Sequence, residues 1–307
     1  MSDPLVSVIM PVYNRAAWVA RSVESVFAQS YPRIELLVVD DGSTDDTRRV
    51  LETFGSRLTV LTQQHAGESV ARNLALEHAR GDFVAFIDSD DVWYPHRLAC
   101  QLPLMGQPEV GLVFGDAVLV EYDGTKPPRR LPRTFFDHTP PSRGRVSSEF
   151  ARGCFVPFSS VLARRRCFAR LGGFTPGYVA ADYLKWFEIS THYELDYVDT
   201  PVFEYSIHAG GLTYDLVSTL DDRIKSFAAA IERTPDAYAK HQLRRILFNQ
   251  ELHRAIAHLR AGDANAVRAL APAAKDFHGI THRERSVWLF QFIRDQLSKR
   301  IRRRVRR

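Results

Sequence analysis

The stretch Phe86-Ile87-Asp88-Ser89-Asp90-Asp91-Val92-Trp93 places three carboxylates within four residues, directly after the apolar run 83–87. A short apolar run bounded by turn-forming residues is typical of a buried strand. In open α/β sheets, ligands bind in the crevice outside the carboxyl ends of the strands. Clustered carboxylates repel one another unless a cation lies among them. The stretch therefore indicates either a metal-binding turn at the end of a strand or a solvated acidic turn.

Three strand-and-helix units precede this stretch. The apolar runs that predict their strands cover residues 5–10, 34–39 and 58–61. We expect Asn14 to cap the first helix, Ser43 and Asp46 to form a capping box for the second, and Gly67 to open the third. Alternating strands and helices predict a parallel sheet with right-handed crossovers. If the sheet runs 3-2-1-4, the turn at Asp88 lies beside the first strand.

Four segments within residues 5–95 resemble, in order and spacing, the first half of a family 2 glycosyltransferase of the GT-A fold. They are Pro11-Val12-Tyr13-Asn14, the run 39–45, Gly67 followed by Ala71-Arg72-Asn73, and Asp88-Ser89-Asp90. One such segment alone is a weak signal, whereas four in register are a strong one. The resemblance implies an α/β fold with a Rossmann-like, mostly parallel sheet flanked by helices. It also implies inverting transfer of a sugar from a nucleoside diphosphate sugar.

The resemblance further implies a set of donor-binding residues. These are Pro11, Tyr13, Asn14, Asp41, Arg72, Asp88 and Ser89. Asp41 would accept a hydrogen bond from the base, and a uracil or thymine ring offers an N–H there. Tyr13 would pack on the base or serve as a core aromatic, and Asp88 would contact the ribose. Arg72 would hold phosphate, or form a structural ion pair with one of the acids.

A divalent cation is the cofactor that the resemblance implies. Asp90 would bind it, and His208 would contact the metal or the diphosphate, or have a structural role. Hard oxygen ligands favour Mg²⁺ or Mn²⁺, held by one or two carboxylates together with the phosphates. Such a cation stabilises the negative charge that grows on a leaving diphosphate.

The acceptor half of the predicted site depends on a second acidic motif. The turn 171–174 matches the family, and Asp182 and Trp186 fall at the positions of its aspartate and tryptophan, whereas Ala181 replaces the usual glutamate. An inverting transfer needs a base that deprotonates the acceptor hydroxyl, and Asp182 is our candidate. The alternative is that Asp182 caps the helix that carries Trp186.

Between the two motifs we expect three further strands and a long basic loop. The strands are predicted at residues 110–114, 117–122 and 158–163, and the loop at 123–148. A loop of this length is usually functional or disordered. Its arginines fit a solvated loop and a lid or acceptor-contacting segment equally well.

Residues 216–307 are predicted to form a helical region that follows a GT-A domain at 1–215. Its last segment places apolar residues at every fourth position from Leu289 to Val305, and residues 294–307 hold eight basic residues against one acid. This pattern is typical of a helix on an anionic membrane surface, although a solvated tail also fits. Nucleic-acid binding is not expected, because stacking aromatics and a recognised module are missing.

Composition places the chain among ordinary soluble globular proteins. It has 307 residues, of which 45% are hydrophobic and 25% charged. Its three scattered cysteines predict free thiols in a reducing compartment. The N-terminus lacks the features of a signal peptide, and no apolar run approaches the roughly 18 residues of a membrane span. We therefore expect a cytoplasmic protein, with peripheral contact at the inner face of the cell membrane through its basic tail.

Together these patterns predict transfer of a UDP- or dTDP-linked sugar to a glycan or lipid-linked acceptor, in synthesis of a cell-surface polysaccharide or glycolipid. Two alternatives stay open. The stretch 86–92 also resembles the D-x-D-x-[TV] motif of haloacid-dehalogenase-type phosphatases, which normally opens the domain. Ala181 in place of the family's glutamate, and Ser206 where relatives often have an arginine, fit a catalytically inactive sugar-nucleotide-binding protein.

Overall fold

The computed structural model describes residues 3–122, 127–178, 180–208 and 216–260. Within these residues a single nine-stranded sheet forms the centre of the protein. Its strands are β1 Val6–Val12, β2 Ile34–Asp40, β3 Thr59–Thr62, β4 Phe83–Phe86, β5 Val92–Trp93, β6 Val110–Glu121, β7 Arg129–Thr134, β8 Leu162–Arg164 and β9 Glu194–Ile207. The helices are α1 Val19–Phe27, α2 Thr47–Glu52, α3 Glu68–His78, α4 Arg97–Gln101, α5 Phe135–His138, α6 Arg165–Leu171, α7 Ala181–His192, α8 Leu216–Arg233 and α9 Ala237–Arg260.

The strand order is β3-β2-β1-β4-β8-β6-β9-β5, with β7 paired to β6. β1 is parallel to both β2 and β4, and β2 is parallel to β3, which confirms the predicted order 3-2-1-4. Ile9 pairs with Phe86, and Val12 pairs with Asp40. The carboxyl ends of β1, β2 and β4 therefore meet at one edge, where their following loops can form a shared crevice.

Two apolar cores cover the two faces of the sheet. Alternate residues of β1 enter opposite cores: Ile9 packs with α3 and α7, whereas Val8 packs with α1 and α4. Side chains on a strand alternate between faces, so a strand covered on both sides reads as a continuous apolar run. This arrangement explains why the buried strands β1, β2 and β4 could be predicted from apolar runs in the sequence.

Beyond β4 the sheet becomes mixed, because β8 pairs antiparallel with both β4 and β6. The prediction of two strands at 110–122 was wrong, since β6 is continuous there. Its register against β9 shifts on either side of Asp116, and Gly115 lies against Val202, where a Cβ atom would come within 2.7 Å of Cγ2. Gly115 and Asp116 thus form an irregularity inside a strand pair, and the sequence alone made it look like a break.

The predicted strand at 158–163 is only partly a strand. Phe158–Ser160 form a 3-10 turn after Pro157, and the Ser160 hydroxyl donates to the Pro157 carbonyl at 2.7 Å. β8 begins only at Leu162. The turn places Ser159 against the acidic stretch.

The predicted long loop contains β7 and α5 in its described part. Thr134 and Asp137 cap α5 reciprocally. Four of the basic residues of the segment pair with acids of the sheet. These pairs are Arg129–Glu121, Arg130–Glu204, Arg143–Asp196 and Arg145–Glu194. The backbone pairing of β7 with β6 holds the described part of this segment to the sheet, and these charge pairs add to it. A contact with the acceptor stays a prediction.

The helices α8 and α9 lie in the part of the chain that was predicted to be helical. Phe227 of α8 packs edge-on against Tyr183 of α7 at 4.9 Å between ring centroids. Tyr238 of α9 shares a hydrogen bond with Ser147 at 3.1 Å. The predicted boundary at 215/216 stays a prediction, and the basic tail 294–307 lies outside the described residues.

Among the described helices, none combines the length and apolar character needed to cross a bilayer. The three cysteines are free, as predicted.

Candidate active site

The acidic stretch forms a tight turn directly after β4. The Asp91 amide donates to the Asp88 carbonyl at 3.1 Å, and the Asp88 amide donates to the Ser159 hydroxyl at 2.9 Å. Asp91 is only 2% exposed and accepts from the Ser206 amide of β9 at 2.9 Å. Asp91 therefore anchors the turn to the second half of the sheet, while Asp88 and Asp90 remain half-buried at the edge of the crevice.

Asp90 and His208 converge on one point. Asp90 Oδ2 lies 3.1 Å from His208 Nε2 and 3.4 Å from Arg15 Nε. The other ring nitrogen, His208 Nδ1, is buried and has no hydrogen-bond partner, and Trp18 packs edge-on against the ring at 4.1 Å.

This pair can supply part of a divalent-cation site. Among the described residues, no group of three or more His, Cys, Asp or Glu side chains is arranged to hold a metal ion. A single carboxylate and an imidazole nitrogen suit a cation whose remaining ligands come from a diphosphate and water. The residues present thus fit a metal held jointly with a substrate, and not a fully protein-bound ion.

Asp88 lies in a charged cluster with Arg72. Arg72 Nη2 is 3.2 Å from Asp88 Oδ1 and 2.8 Å from Glu68 Oε2, and its guanidinium lies 3.9 Å from the centre of the Phe158 ring. Burial raises the pKa of Asp88 to about 8, and the charges of Glu68, Asp90 and Asp182 act in the same direction, although Arg72 opposes them. The ion pair that we considered for Arg72 is therefore present, and its buried Nε has no hydrogen-bond partner.

Asp182 lies near this cluster, in the first turn of α7. It is half-buried, and its charge acts on both Arg72 and Asp88. The helix-cap alternative was wrong, because the N-cap residue is Ala180 and α7 has no side-chain cap. Ala181, at the place of the family glutamate, is 3% exposed and belongs to the apolar core.

Asp41 follows β2 and is held by the segment 63–67. Its Oδ1 accepts from Gln63 Nε2 at 2.6 Å and from the Ala66 amide at 2.9 Å. Its Oδ2 accepts from the Gly67 amide at 2.9 Å and lies 2.9 Å from His65 Nδ1. The Tyr13 ring, which is 38% exposed, stacks on His65 with 4.0 Å between ring centroids.

Asn14 is not a helix cap, so that prediction was wrong. It adopts a left-handed conformation with φ of 50°, and α1 begins five residues later with Trp18 at its N-cap. Its Oδ1 accepts from the Thr44 amide at 2.8 Å, and its own amide donates to the Ser43 hydroxyl at 3.0 Å. Asn and Asp tolerate this region because their short side chains bond locally.

The predicted capping box of α2 was also wrong. Asp46 occupies the N-cap position without a capping hydrogen bond from its side chain, and Ser43 instead bonds the loop after β1. The loops after β1 and β2 are thereby joined at the crevice edge. Pro11 and Ser89 are buried near this edge, Pro11 within β1 opposite Val39.

The structure thus brings the loops after β1, β2 and β4 together with Asp182 and His208. Sequence reasoning missed Arg15, His65 and Ser159, which contact Asp90, Asp41 and Asp88 respectively. All three lie in loops or turns, and their contacts join distant parts of the chain. The position of Arg15 directly after the first motif was the one available signal.

The comparisons with known proteins agree with this arrangement. A model of Glycosyl transferase family 2 matches residues 7–171. WfgD of Escherichia coli, a UDP-Glc:alpha-D-GlcNAc-diphosphoundecaprenol beta-1,3-glucosyltransferase, is 43% identical over 122 residues, covering 39% of this chain and 48% of WfgD. TuaG of Bacillus subtilis (strain 168), named for a proposed role in teichuronic acid biosynthesis, is 41% identical over 143 residues, covering 45% of this chain and 54% of TuaG. The chain thus spans about half the length of both relatives.

A solved structure extends the likeness past the matched family region. The mannosyltransferase PcManGT from Pyrobaculum calidifontis, in complex with GDP-Man and Mn²⁺, has a TM-score of 0.63 at 25% identity, covering 93% of this chain and 83% of PcManGT. This likeness confirms the predicted GT-A type of α/β architecture. Because the family model covers more than half of the 307 residues, the protein belongs to glycosyltransferase family 2.

Proposed function

We propose that the protein is an inverting glycosyltransferase that moves a sugar from a nucleoside diphosphate sugar to a hydroxyl group. The observation that carries this proposal is the meeting of two acidic motifs in one crevice. Asp88 and Asp90 come from the end of β4, and Asp182 comes from α7, close enough for its charge to act on Asp88. One side of the crevice can bind a donor while the other activates an acceptor.

On the donor side, the loops after β1 and β2 would receive the nucleoside. Tyr13 offers an aromatic ring that is 38% exposed and stacks on His65, and Asp41 offers a buried carboxylate beside it. A uracil or thymine ring can stack on the first and donate its N–H to the second. Asp88 would accept from a ribose hydroxyl, with Arg72 holding its carboxylate in place. We therefore propose a UDP- or dTDP-sugar as the donor.

On the leaving-group side, Asp90 and His208 would hold Mg²⁺ or Mn²⁺ together with the diphosphate. A bound divalent cation supplies positive charge that stabilises the departing diphosphate. PcManGT, whose structure contains Mn²⁺, supports this use of a metal in the same fold. Arg15, 3.4 Å from Asp90 Oδ2, adds a fixed positive charge at the same place.

On the acceptor side, Asp182 would take the proton of the attacking hydroxyl. A single displacement of this kind inverts the anomeric configuration, because the acceptor attacks from the face opposite the leaving diphosphate. WfgD is named for an acceptor linked to diphosphoundecaprenol. We propose that the acceptor here is likewise a glycan or lipid-linked sugar in the synthesis of a cell-surface polysaccharide or glycolipid.

The test measures release of nucleoside diphosphate from UDP-, dTDP- and GDP-sugars, with Mn²⁺ and lipid-linked acceptors. We expect transfer from one donor, and its loss when the metal is chelated. Asp90→Asn should lower turnover by about 100-fold or more, since a metal contributes several kcal/mol. Asp82→Asn is the matched control, because Asp82 is exposed before β4 and contributes no side-chain contact to the crevice.

Two results would overturn the proposal. Transfer that is unaffected by chelation and by Asp90→Asn would show that sugar transfer does not need a metal bound by Asp90. Tight nucleotide binding without transfer to any acceptor would instead favour the inactive sugar-nucleotide-binding protein. Family membership already argues against the phosphatase alternative.

We also propose that the protein works in the cytoplasm at the inner face of the membrane, where the segment 294–307 would bind anionic lipid. The charge pattern of that segment supports this idea. Co-sedimentation with anionic vesicles, compared with neutral ones, would test it. Equal binding to both kinds of vesicle, or to neither, would contradict the proposed binding of anionic lipid.

A further inference from the structure

Four donor groups lie around the Asp41 carboxylate, and three of them hydrogen-bond it. Gln63 Nε2 and the Ala66 amide bind Oδ1, at 2.6 and 2.9 Å, while the Gly67 amide and His65 Nδ1 lie at 2.9 Å from Oδ2. An ionised carboxylate offers about four acceptor positions. Three of them are used by these hydrogen bonds and the His65 ring lies against the fourth, so a further N–H can reach the carboxylate only if the imidazole moves.

His65 also covers the aromatic surface next to Asp41. Its ring stacks on Tyr13 with 4.0 Å between centroids and 22° between planes. His65 Nδ1 lies near two acceptors, Asp41 Oδ2 and, at 3.2 Å, the Asp41 carbonyl oxygen, so Nδ1 carries the hydrogen. The imidazole thus occupies the position expected of a nucleobase: it stacks on Tyr13 and lies 2.9 Å from the Asp41 carboxylate.

Of the four donors, the His65 side chain is the one that can leave. The amides of Ala66 and Gly67 are fixed at the start of α3, and Gln63 is half-buried. The His65 side chain is 56% exposed. Its backbone is held against Gly42, where a Cβ atom would lie 2.9 Å from the His65 nitrogen. Movement of the imidazole therefore requires rotation of the side chain alone.

We propose that the His65 imidazole stands in the place of the nucleobase and rotates away when the donor binds. This inference rests on the proposed function, since it assigns the base position of the same site. The ring keeps the Tyr13 face covered and lies against the remaining acceptor position of the buried Asp41 carboxylate. A ligand can displace the imidazole without a net loss of contacts only if it replaces both of them. His65 therefore favours sugar nucleotides whose base stacks on Tyr13 and also donates an N–H to Asp41.

The test is isothermal titration with UDP in the presence of Mn²⁺. His65→Ala removes the competitor and leaves three donors on Asp41. We expect it to tighten UDP binding by about 5- to 30-fold, the worth of one hydrogen bond and one ring contact. His78→Ala is the matched control, because it removes an exposed imidazole from the far end of α3. Pyrophosphate, which has no base, should bind equally to wild type and to both variants.

Each other outcome is decisive. Unchanged or weaker UDP binding by His65→Ala, with wild type binding normally, would overturn the displacement and leave the proposed function standing. A parallel gain for pyrophosphate would also overturn it, because the effect would then not involve the base. If wild type and His65→Ala bind none of UDP, dTDP and GDP, the proposed donor function fails, and the inference fails with it.

Discussion

Asp88, Asp90 and Asp91 are chemically identical neighbours with three different surroundings. Asp91 is buried and bonded to the backbone of β9, Asp90 faces His208, and Asp88 faces Arg72. The tight turn sends the three carboxylates in different directions, so their partners come from separate parts of the fold. A D-x-D-D sequence indicates a charged turn, whereas the tertiary partners decide which carboxylate remains accessible to a ligand.

At Asp182 we predict that one substitution slows turnover and leaves donor binding almost unchanged. Asp182→Asn keeps the shape of the side chain and removes the proton acceptor, so turnover should fall by about 10²- to 10⁴-fold. The dissociation constant for the donor should change little, because the donor contacts that we propose lie on the loops after β1, β2 and β4. Single-turnover transfer and nucleotide titration would measure the two quantities separately.

The matched control is Asp222→Asn, which removes a partly exposed carboxylate paired with Lys225 on α8. Its turnover should equal that of wild type. Near-normal transfer by Asp182→Asn with the true acceptor would show that the base is another group. A large loss of donor affinity would assign Asp182 to the donor side instead.

At the scale of elements, one side chain holds α3 against the turn that precedes α7. Asn73 donates to the Phe174 carbonyl at 2.8 Å and accepts from its amide at 2.7 Å. Gly173 makes this close approach possible, because a Cβ atom there would lie 2.2 Å from Asn73 Oδ1. The preceding residue, Arg72, rests on the rings of Phe158 and Phe174. This contact thus joins the Arg72-Asn73 segment of α3 to the turn that precedes Asp182.

Gly173→Ala should therefore destabilise the protein. The added methyl group would break both hydrogen bonds of Asn73 or force a backbone shift, at a cost of about 1–3 kcal/mol. Denaturant unfolding would show a lower midpoint with an unchanged slope. Gly106→Ala is the control, since a Cβ atom at Gly106 meets no atom within 4 Å. Equal midpoints for the two variants would contradict the role given to this contact.

For the molecule as a whole, the sequence predicted what depends on local order along the chain. The strand order 3-2-1-4 and the acidic turn after the fourth strand are confirmed, because each rests on contiguous apolar runs and turn residues. The helix-cap role of Asn14 was wrong, since its loop is shaped by residues about thirty positions away. The contacts of Arg15 and His65 were not predicted, because periodicity carries no information on which loops meet. Residue roles toward donor, acceptor and metal stay predictions.

The acidic crevice should make the stability of the whole protein depend on pH in an unusual direction. Burial raises the pKa of Asp88 to about 8 and raises that of Asp91 well above its usual value. In the unfolded chain both carboxyls titrate near 3.9. Between about pH 4 and pH 8 the folded state holds protons that the unfolded state has released. The stability contributed by these bound protons is therefore fully present below about pH 4 and is lost as pH rises through about 8. In chelator, we expect the melting temperature to fall between pH 6 and pH 8.

Asp88→Asn should flatten this fall, because the amide cannot release a proton, whereas Asp82→Asn should leave the slope as in wild type. Adding Mn²⁺ should raise the melting temperature more at pH 8 than at pH 6, since a cation binds the ionised carboxylates and competes with their protons. Glu35 and Asp45 do not contribute to this fall: burial alone would raise their pKa values, but hydrogen bonds from Ser7 and Arg80 to Glu35, and from Thr47 and Ala16 to Asp45, lower them, so both are fully ionised throughout this range. A pH-independent melting temperature in chelator would mean that the crevice carboxylates are ionised in the folded protein. In that case Arg72 and Arg15 would be sufficient to hold the negative charges together without a metal.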